Sequence, residues 1–383
     1  MEARSGLNVL VIDDSAVVRQ AVTAILSSEP DIKVETASDP IIAEQKMGRF
    51  SPDVIVLDLE MPRMDGLTFL RKLMAERPLP VVVCSSYAED GSEMALRALD
   101  LGAVDILAKP RIGVRDFLHD SAVMLLESVR GAAAARVPGR RTGEFPLRRT
   151  SEAARPPAPA PRLTADAVVP AATTPRTLSS AVPIIAVGAS TGGTEALRVL
   201  LDAMPADAPP ILVVQHMPAG FTAAFANRLA KTARIEVREA ESGDAVGPGR
   251  ALIARGDRHL VLKRQGARCH VDVIEGALVS RHRPSVDVLF RSVAQAVGSR
   301  AVGLIMTGMG DDGAQGLLEL SQAGAATFAQ DEASSVVFGM PREAIARGAA
   351  GAVLPLHELP AALLRAAVAQ AANPDPGLRR RGQ

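Results

Sequence analysis

Cysteine is scarce in this 383-residue sequence, which contains only Cys84 and Cys269, far apart and each within a strand-like run. Two such residues argue against a disulfide framework or a cysteine metal site and favour reduced thiols in a core. The sequence also lacks an apolar run long enough to cross a bilayer, and residues 1–7 lack the basic and apolar segments of an export signal. We therefore expect a cytoplasmic protein without membrane insertion.

Net charge is absent overall, but charge is unevenly distributed along the chain. Residues 1–131 contain 14 basic and 21 acidic side chains, a net charge of −7, whereas residues 132–181 contain 8 and 3, a net charge of +5. Residues 182–373 are balanced at 18 of each, and residues 374–383 form a basic tail with 3 and 1. Residues 182–373 lack both an excess of positive charge and an evident helix-turn-helix, which argues against a DNA-binding module. These shifts predict two domains, a linker and a tail.

Residues 1–131 alternate short apolar runs with amphipathic ones. This alternation predicts an α/β domain with a doubly wound parallel sheet, whose ligands gather outside the carboxyl ends of the strands. The predicted strands are Val9–Ile12, Ile32–Thr36, Val54–Leu57, Val81–Ser85 and Val104–Leu107.

Side chains of three kinds follow these strands. Asp13 and Asp14 close the first strand, Asp58 closes the third, and Ser85 and Lys109 close the fourth and fifth. Clustered carboxylates repel one another and need a cation, and hard oxygen ligands favour Mg²⁺. A carboxylate held beside Mg²⁺, an amine and a hydroxyl is able to accept a phosphoryl group.

The segments Val11–Ser15, Leu57–Gly66 and Lys109-Pro110 resemble those of a response-regulator receiver domain. The resemblance implies a flavodoxin-like fold and a histidine kinase as phosphoryl donor. It also implies these residue roles: Asp58 as phospho-acceptor, Asp13, Asp14 and Asp58 as Mg²⁺ ligands, and Ser85 and Lys109 as contacts to the phosphoryl group. Ile106 stands where many receivers have a switching aromatic residue, which is a departure from the family pattern.

Residues 132–181 contain eight prolines and eight arginines among many alanines, with little periodicity. This composition predicts a flexible linker with no fixed fold.

Alternation resumes in residues 182–373 and predicts a second α/β sheet, mainly parallel. Between Ala251 and Ile274 the spacing is too short for helical crossovers, so an antiparallel excursion is expected there. The predicted strands are Ile184–Val187, Ile211–Gln215, Ala251–Ala254, His259–Leu262, Cys269–Ile274, Val302–Met306, Ala325–Ala329 and Ala352–Leu354, and the clearest helices are Val286–Val297 and Leu359–Ala371.

The turn Gly188–Gly193 places Ser190 between glycines at a strand-to-helix junction. Glycine permits the sharp bend and a close approach of the substrate, and N–H groups at the start of the helix could stabilise a developing negative charge. The same pattern occurs in phosphate-binding loops, so a nucleophilic role for Ser190 depends on a base and an orienting acid nearby.

His216 directly follows the strand Ile211–Gln215 and is expected at the same sheet edge as Ser190. His259 and His270 are expected to be framework or surface residues. His282 lies between two arginines, a cationic setting that opposes its protonation.

The acid is expected from the glycine-rich turn Thr307–Gly313, which contains Asp311 and Asp312. The residues alone do not distinguish the two aspartates, and either could instead cap the following helix. Together, Ser190, His216 and one of these aspartates predict an acyl hydrolase.

Two alternatives remain open at this point. His357 with Asp331 or Asp312 gives the Ser, acid, His order of an α/β-hydrolase, although Pro355–Pro360 is typical of the start of a final helix. The chain could also be a phosphorylation-dependent adaptor without catalysis.

Five segments are similar to the catalytic domain of the chemotaxis protein-glutamate methylesterase family: Gly188–Gly193, Gln215–Pro218, Arg283–Phe290, Met306–Gly313 and Ala329–Pro341. With the receiver, the resemblance covers everything except the linker and the tail. It implies a triad of Ser190, His216 and Asp312, with the backbone N–H groups of Met309 and Thr191 as oxyanion donors. Asp311 stands where family members often carry Asn.

The resemblance further implies hydrolysis of glutamate methyl esters on methylated chemoreceptors, with release of methanol and deamidation of receptor glutamines. A chemotaxis histidine kinase would be the phosphoryl donor, the esterase reaction would need no cofactor, and a monomer is expected. We hypothesise that the unphosphorylated receiver covers the Ser190 edge and that phosphorylation of Asp58 loosens this contact.

Overall fold

The computed structural model describes residues 6–86, 89–109, 115–136, 162–171 and 182–372. The basic tail and most of the predicted linker lie outside these ranges. Within them, no helix is both long enough and apolar enough to cross a membrane.

The first domain contains the predicted five-stranded parallel sheet, in the order β2-β1-β3-β4-β5. Successive residues of the first strand belong to two different apolar clusters, one on each face, because a parallel sheet is covered by helices on both sides. The strands are β1 (Leu7–Ile12), β2 (Ile32–Ala37), β3 (Val54–Asp58), β4 (Val81–Ser85) and β5 (Asp105–Ala108), and the helices are α1 (Ala16–Leu26), α2 (Pro40–Met47), α3 (Gly66–Glu76), α4 (Glu89–Asp100) and α5 (Arg115–Ala134).

The second domain contains a seven-stranded sheet in the order β14-β13-β12-β6-β7-β9-β8, in which every pair is parallel. Its strands are β6 (Ile184–Ala189), β7 (Ile211–Gln215), β8 (Glu236–Glu239), β9 (Arg250–Ile253), β12 (Ala301–Ile305), β13 (Ala326–Gln330) and β14 (Ala352–Leu354). Its helices are α6 (Gly193–Asp202), α7 (Thr222–Ala230), α8 (Val286–Val297), α9 (Ala314–Gln322), α10 (Met340–Ala346) and α11 (Leu359–Ala372).

The antiparallel part of this domain is smaller than expected. Only β10 (His259–Gln265) and β11 (Arg268–Ile274) form a hairpin, whereas β9 pairs in parallel with β7 and β8. The edge strand β8 was not predicted, because its Glu-Val-Arg-Glu sequence is mostly charged, as is common for an exposed sheet edge.

Residues 162–171 differ from the expectation of a linker without a fixed fold. A short 3-10 turn, Ala165–Ala167, begins a segment whose Ala165 and Val169 pack in an apolar cluster against the second domain. Arg291 of α8 holds the same segment through Asp166 at 2.7 Å and the Val169 carbonyl at 3.2 Å. Apolar burial and a charge pair therefore fix this part of the segment.

The two domains contact each other at the carboxyl edge of the second sheet. The Ser92 hydroxyl of α4 donates to the Gly220 carbonyl at 3.1 Å, and Arg228 of α7 donates to the Leu96 carbonyl at 2.7 Å. Just beyond α5, the Arg136 guanidinium donates to the Glu332 carbonyl at 2.9 Å. As a result, β5 and α5 of the first domain lie over the turns that follow β6 and β7.

Candidate active site

Ser190 lies in the turn between β6 and α6, and neighbouring elements hold its backbone on both sides. Its N–H donates to the Thr307 carbonyl at 3.0 Å, and its carbonyl accepts from the Gln215 side chain at 2.9 Å. Gly192 has a φ of 77°, which favours glycine, and a Cβ on Gly308 would lie 2.7 Å from the Ser190 Cβ. The two glycine-rich turns therefore contact each other directly, and only glycine fits between them.

His216 directly follows β7, which neighbours β6 in the sheet, and its N–H donates to the Ala189 carbonyl at 3.0 Å. Its Nε2 donates to Asp312 Oδ2 at 2.8 Å. The other ring nitrogen, Nδ1, is buried and has no hydrogen-bond partner among the described residues. Burial, and next the charge of His282, lower the pKa of His216, so the imidazole is neutral near pH 7 with Nδ1 free to accept a proton.

Asp312, in the turn after β12, is fully buried and accepts four hydrogen bonds. Besides His216, its donors are the Ser285 hydroxyl at 2.8 Å and the N–H groups of Val286 at 2.7 Å and Asp287 at 3.1 Å. These N–H groups belong to the first turn of α8, where the helix dipole favours a negative charge. Burial alone would raise the pKa of Asp312, but His216 and these donors lower it to about 2.

Asp287 lies beside Asp312 and has the opposite electrostatic character. Its Oδ1 accepts the Gly316 N–H at 2.7 Å, and its Oδ2 lies 3.2 Å from the Ser280 hydroxyl. Burial and the charge of Asp312 raise the pKa of Asp287 to about 7. The charge of Asp312 therefore favours the protonated form of Asp287.

The other two residues considered for the triad, Asp311 and His357, do not contact the His216 ring. Asp311 forms ion pairs with Arg162 at 3.0 Å and Arg347 at 3.3 Å. The His357 side chain is 78% exposed beside Glu358. The structure thus brings Asp312, and neither Asp311 nor His357, to the His216 ring.

The carboxylates of the first domain form a second cluster. Ligand oxygens of Asp13, Asp14 and Asp58 lie within 4.8 Å of one another, and Lys109 Nζ lies 2.6 Å from Asp58 Oδ2 and 3.3 Å from Asp13 Oδ2. Ser85 is buried at the end of the adjacent strand. Burial first, and the charge of Asp13, raise the pKa of Asp58 to about 6 despite Lys109. This set of oxygen donors fits a hard divalent cation such as Mg²⁺.

A small cavity separates the two domains at the Ser190 edge. Its volume is about 30 Å³, enough for one or two water molecules and too small for a side chain of a substrate protein. Its lining residues come from both domains: Asp105, Ile106, Leu107, Met124, Glu127 and Ser128 from the first, and Ser190, Thr191, His216, Pro218, His282 and Met309 from the second.

Comparison with known proteins accounts for both halves of the chain. Residues 9–117 match the model of the response regulator receiver domain, and residues 185–363 match that of the CheB methylesterase. A protein-glutamate methylesterase/protein-glutamine glutaminase from Anaeromyxobacter dehalogenans is 58% identical over 94% of this chain and 96% of its own length. The chain belongs to this methylesterase family.

Two further relatives of the family extend this comparison. A protein of the same name from Rhizobium johnstonii is 54% identical over 92% of this chain and 96% of its own length. The crystal structure of the Thermotoga maritima CheB methylesterase catalytic domain is 39% identical and covers 49% of this chain and 99% of that one, with a TM-score of 0.48.

His282 is the site residue of this methylesterase-family chain that sequence reasoning misjudged. Its ring stacks on that of His216, with centroids 3.7 Å apart and planes inclined by 8°. The expectation that its arginine neighbours oppose protonation is wrong. Although burial lowers the pKa of His282, the Glu127 carboxylate of α5, 3.1 Å from Nε2, raises it above the usual value. Because Glu127 is remote in sequence and lies in the other domain, no local pattern could have identified it.

Asp105 of β5 is a second acidic residue at the interface that sequence reasoning missed. Its Oδ2 accepts from the Thr191 hydroxyl at 3.2 Å and from the Ser128 hydroxyl at 2.9 Å. Burial raises the pKa of Asp105 to about 6. The receiver thus places a carboxyl group directly against the residue that follows Ser190.

Proposed function

We propose that this chain is a phosphorylation-controlled protein-glutamate methylesterase and protein-glutamine glutaminase that acts on chemoreceptors and so provides adaptation in chemotaxis. Residues 1–131 act as the receiver, 132–181 as the linker, 182–373 as the catalytic domain and 374–383 as a basic tail. Family membership supports the reaction class. The observation that carries the proposal is the His216–Asp312 pair, in which Nδ1 of His216 has no partner among the described residues, while His216 and Ser190 line the same cavity.

The geometry supports one nitrogen of His216 as the base. Asp312 fixes the tautomer that carries a proton on Nε2, so Nδ1 of His216 accepts the proton of the Ser190 hydroxyl. The Ser190 oxygen then forms a bond to the ester carbonyl carbon, and the methoxide leaves with the proton from Nδ1 as methanol. Water attacks the acyl-serine by the same route and regenerates Ser190 with a glutamate carboxylate as product. On a glutamine substrate the leaving group is ammonia.

The tetrahedral intermediate carries a negative oxygen that needs donors. We assign the backbone N–H groups of Thr191 and Met309 to this role, because both residues line the cavity beside Ser190. In the part of the chain that the structure describes, neither N–H donates to an acceptor.

The small cavity supports control by the receiver, because its volume of about 30 Å³ leaves no room for a substrate side chain beside Ser190. We propose that Asp58 accepts a phosphoryl group and that Asp13, Asp14 and Asp58 hold Mg²⁺, with Lys109 and Ser85 contacting the phosphoryl oxygens. When bound, Mg²⁺ neutralises charge on the transferred group. The rearrangement that follows separates β5 and α5 from the catalytic edge.

The proposed partners are methylated chemoreceptors and a chemotaxis histidine kinase, with the chain acting as a monomer in the cytoplasm. No nucleic acid partner is proposed, and the esterase step needs no cofactor. The described cysteines, Cys84 and Cys269, are both free thiols, as a reducing compartment would allow.

The test is methanol release from methylated receptor membranes, measured with and without a small phosphoryl donor and Mg²⁺. Ser190→Ala should lose all but a residual rate, a decrease of about 10³-fold or more. Asp58→Asn should lose its response to the phosphoryl donor. Retention of full methanol release by Ser190→Ala would refute the proposed nucleophile, and stimulation of Asp58→Asn would refute the proposed control.

A further inference from the structure

The receiver inserts a glutamate side chain into the catalytic edge. Glu127 of α5 lies at the cavity that contains Ser190 and His216, and its carboxylate is 3.1 Å from His282 Nε2 and 3.4 Å from an Arg281 nitrogen. Burial alone would raise the pKa of Glu127, but the hydrogen bond and the charge of His282, followed by the charge of Arg281, lower it. The contact is therefore a carboxylate held by two cationic side chains.

The catalytic domain itself, and not the receiver, fixes this cationic pair. Val279 and His282 exchange two backbone hydrogen bonds across a tight turn, and the intervening Ser280 and Arg281 have φ values of 49° and 71°. Left-handed backbone at two consecutive non-glycine residues is uncommon and persists only where the surrounding structure imposes it. His282 Nδ1 donates to the Ser280 carbonyl at 2.9 Å, which leaves Nε2 to face a carboxylate.

The pair also lies next to the reacting groups. The His282 ring stacks on His216, and both line the cavity with Ser190. A carboxylate bound by His282 and Arg281 is therefore separated from the catalytic histidine, His216, only by the His282 ring. The reacting ester or amide is neutral, so cations placed here do not attract the reacting group itself. They attract an acidic side chain beside it.

We propose that Arg281 and His282 form a subsite for an acidic side chain of the substrate protein adjacent to the reacting ester, and that Glu127 occupies this subsite while the receiver is closed. Glu127 then stands in for a glutamate of the substrate. Movement of the receiver vacates the subsite and uncovers Ser190 in the same step. This inference rests on the proposed methylesterase function.

The test uses the full chain in its activated state, with phosphoryl donor and Mg²⁺, so that closure by the receiver does not obscure substrate binding. Methylated receptor and p-nitrophenyl acetate, a small ester without a neighbouring acid, are compared as substrates. Arg281→Gln should raise KM for the receptor by about tenfold, which corresponds to one charge-assisted hydrogen bond. The rise in KM for p-nitrophenyl acetate should be about tenfold smaller than the rise for the receptor, so that this KM stays close to the wild-type value. Arg281→Lys should restore part of the receptor KM.

Arg250→Gln is the matched control. Arg250 has a side-chain exposure of 31% against 36% for Arg281 and also pairs with a glutamate, but it lies at the amino end of β9, away from the carboxyl edge. Glu127→Gln should raise the rate without phosphoryl donor, because the receiver loses its contact to the subsite, while KM in the activated state stays that of the wild type.

Two outcomes would overturn the inference. An unchanged receptor KM for activated Arg281→Gln would mean that the pair only fastens the receiver. An equal loss on both substrates would mean that Arg281 acts on the site as a whole and not on a neighbouring acid. Either result leaves the methylesterase proposal intact, since that proposal fails only through the Ser190→Ala measurement.

Discussion

Asp58 and Asp312 are both buried carboxylates that follow a central strand of a parallel sheet, yet their surroundings are opposite. Asp58 lies among other carboxylates with one lysine, and its pKa is raised to about 6, mainly by burial. Asp312 faces three donors at the start of α8 and His216 Nε2, and its pKa is lowered to about 2 against the effect of burial. Sheet position brings both residues to an edge, but the neighbouring donors determine what each carboxylate does.

This contrast separates two kinds of functional aspartate. A carboxylate without enough donors is unstable when ionised and is ready to accept a cation or a phosphoryl group. A carboxylate saturated with donors has little capacity for new bonds and serves to hold another side chain in place. The same Asp→Asn change should therefore have opposite effects on stability at the two sites.

Asp312→Asn should give the largest effect. It should lower methanol release by about 10³- to 10⁴-fold, because the tautomer of His216 is no longer fixed. It should also lower the free energy of unfolding by on the order of 3 kcal/mol near pH 7, since donors that faced a charge then face a neutral amide. The stability supplied by Asp312 is present above pH 3.8 and is lost only as pH falls towards 2, so the difference from the wild type should shrink in strong acid.

Asp311→Asn is the matched control for this prediction. Asp311 is the adjacent residue, but its ion pairs with Arg162 and Arg347 are partly exposed and worth about 1 kcal/mol or less. A larger loss of activity in Asp311→Asn than in Asp312→Asn would reverse the assignment of the orienting acid.

Asp58→Asn should have a smaller effect on stability and one of the opposite sign. The folded-state pKa of Asp58 lies above 3.8, so the stability linked to its protonation is fully present below that pH and is lost as pH rises towards 6. Near pH 7 without Mg²⁺, the neutral variant should be more stable by about 1–2 kcal/mol. Thermal unfolding in EDTA and in MgCl₂ measures this, and Mg²⁺ should stabilise the wild type more than the variant. If Asp58→Asn were less stable than the wild type in EDTA, the proposed contrast between Asp58 and Asp312 would be wrong.

Asp287→Asn should change stability in a pH-dependent way, with the difference from the wild type growing between pH 3.8 and about 7. Because the pKa of Asp287 is about 7 in the folded state, stability is lost as pH rises from 3.8 to that value. Between pH 5.5 and pH 8, the wild type should lose about 2 kcal/mol relative to the variant. Urea unfolding at the two pH values checks this, and an identical pH dependence of the two proteins would show that Asp287 is ionised throughout.

Much of the fold was predictable from the sequence, because local patterns specify it. The bounds of α8 were predicted to the residue, since apolar periodicity begins directly after Ser285, whose hydroxyl accepts the Val288 N–H. The parallel pairing of the central strands is also confirmed. The edge strand β8 could not be recognised, because its residues are charged and only pairing with β9 makes it a strand.

The candidate site was predictable only as far as chain order reaches. The predicted strand ends were sufficient to bring Ser190 and His216 to one edge. Asp311 and Asp312 are adjacent in sequence, and which of their side chains faces His216 depends on the three-dimensional path of the turn. The partners of His282 and Thr191 could not be predicted at all, since Glu127 and Asp105 belong to the other domain. Contacts between the two domains produce no periodic pattern in the sequence of either domain.

Strand β5 takes part in both sites. Its first residue, Asp105, contacts Thr191, Ile106 lines the cavity, and Lys109, directly after the strand, binds Asp58. At about 3.3 Å per residue, roughly 13 Å of backbone separates the proposed phosphoryl site from the proposed esterase site. Residues in or directly after β5 therefore contact both Asp58, in the receiver, and the cavity beside Ser190. A substitution within β5 alters both at once, so the sensitivity of the switch and the tightness of its resting state are expected to evolve together.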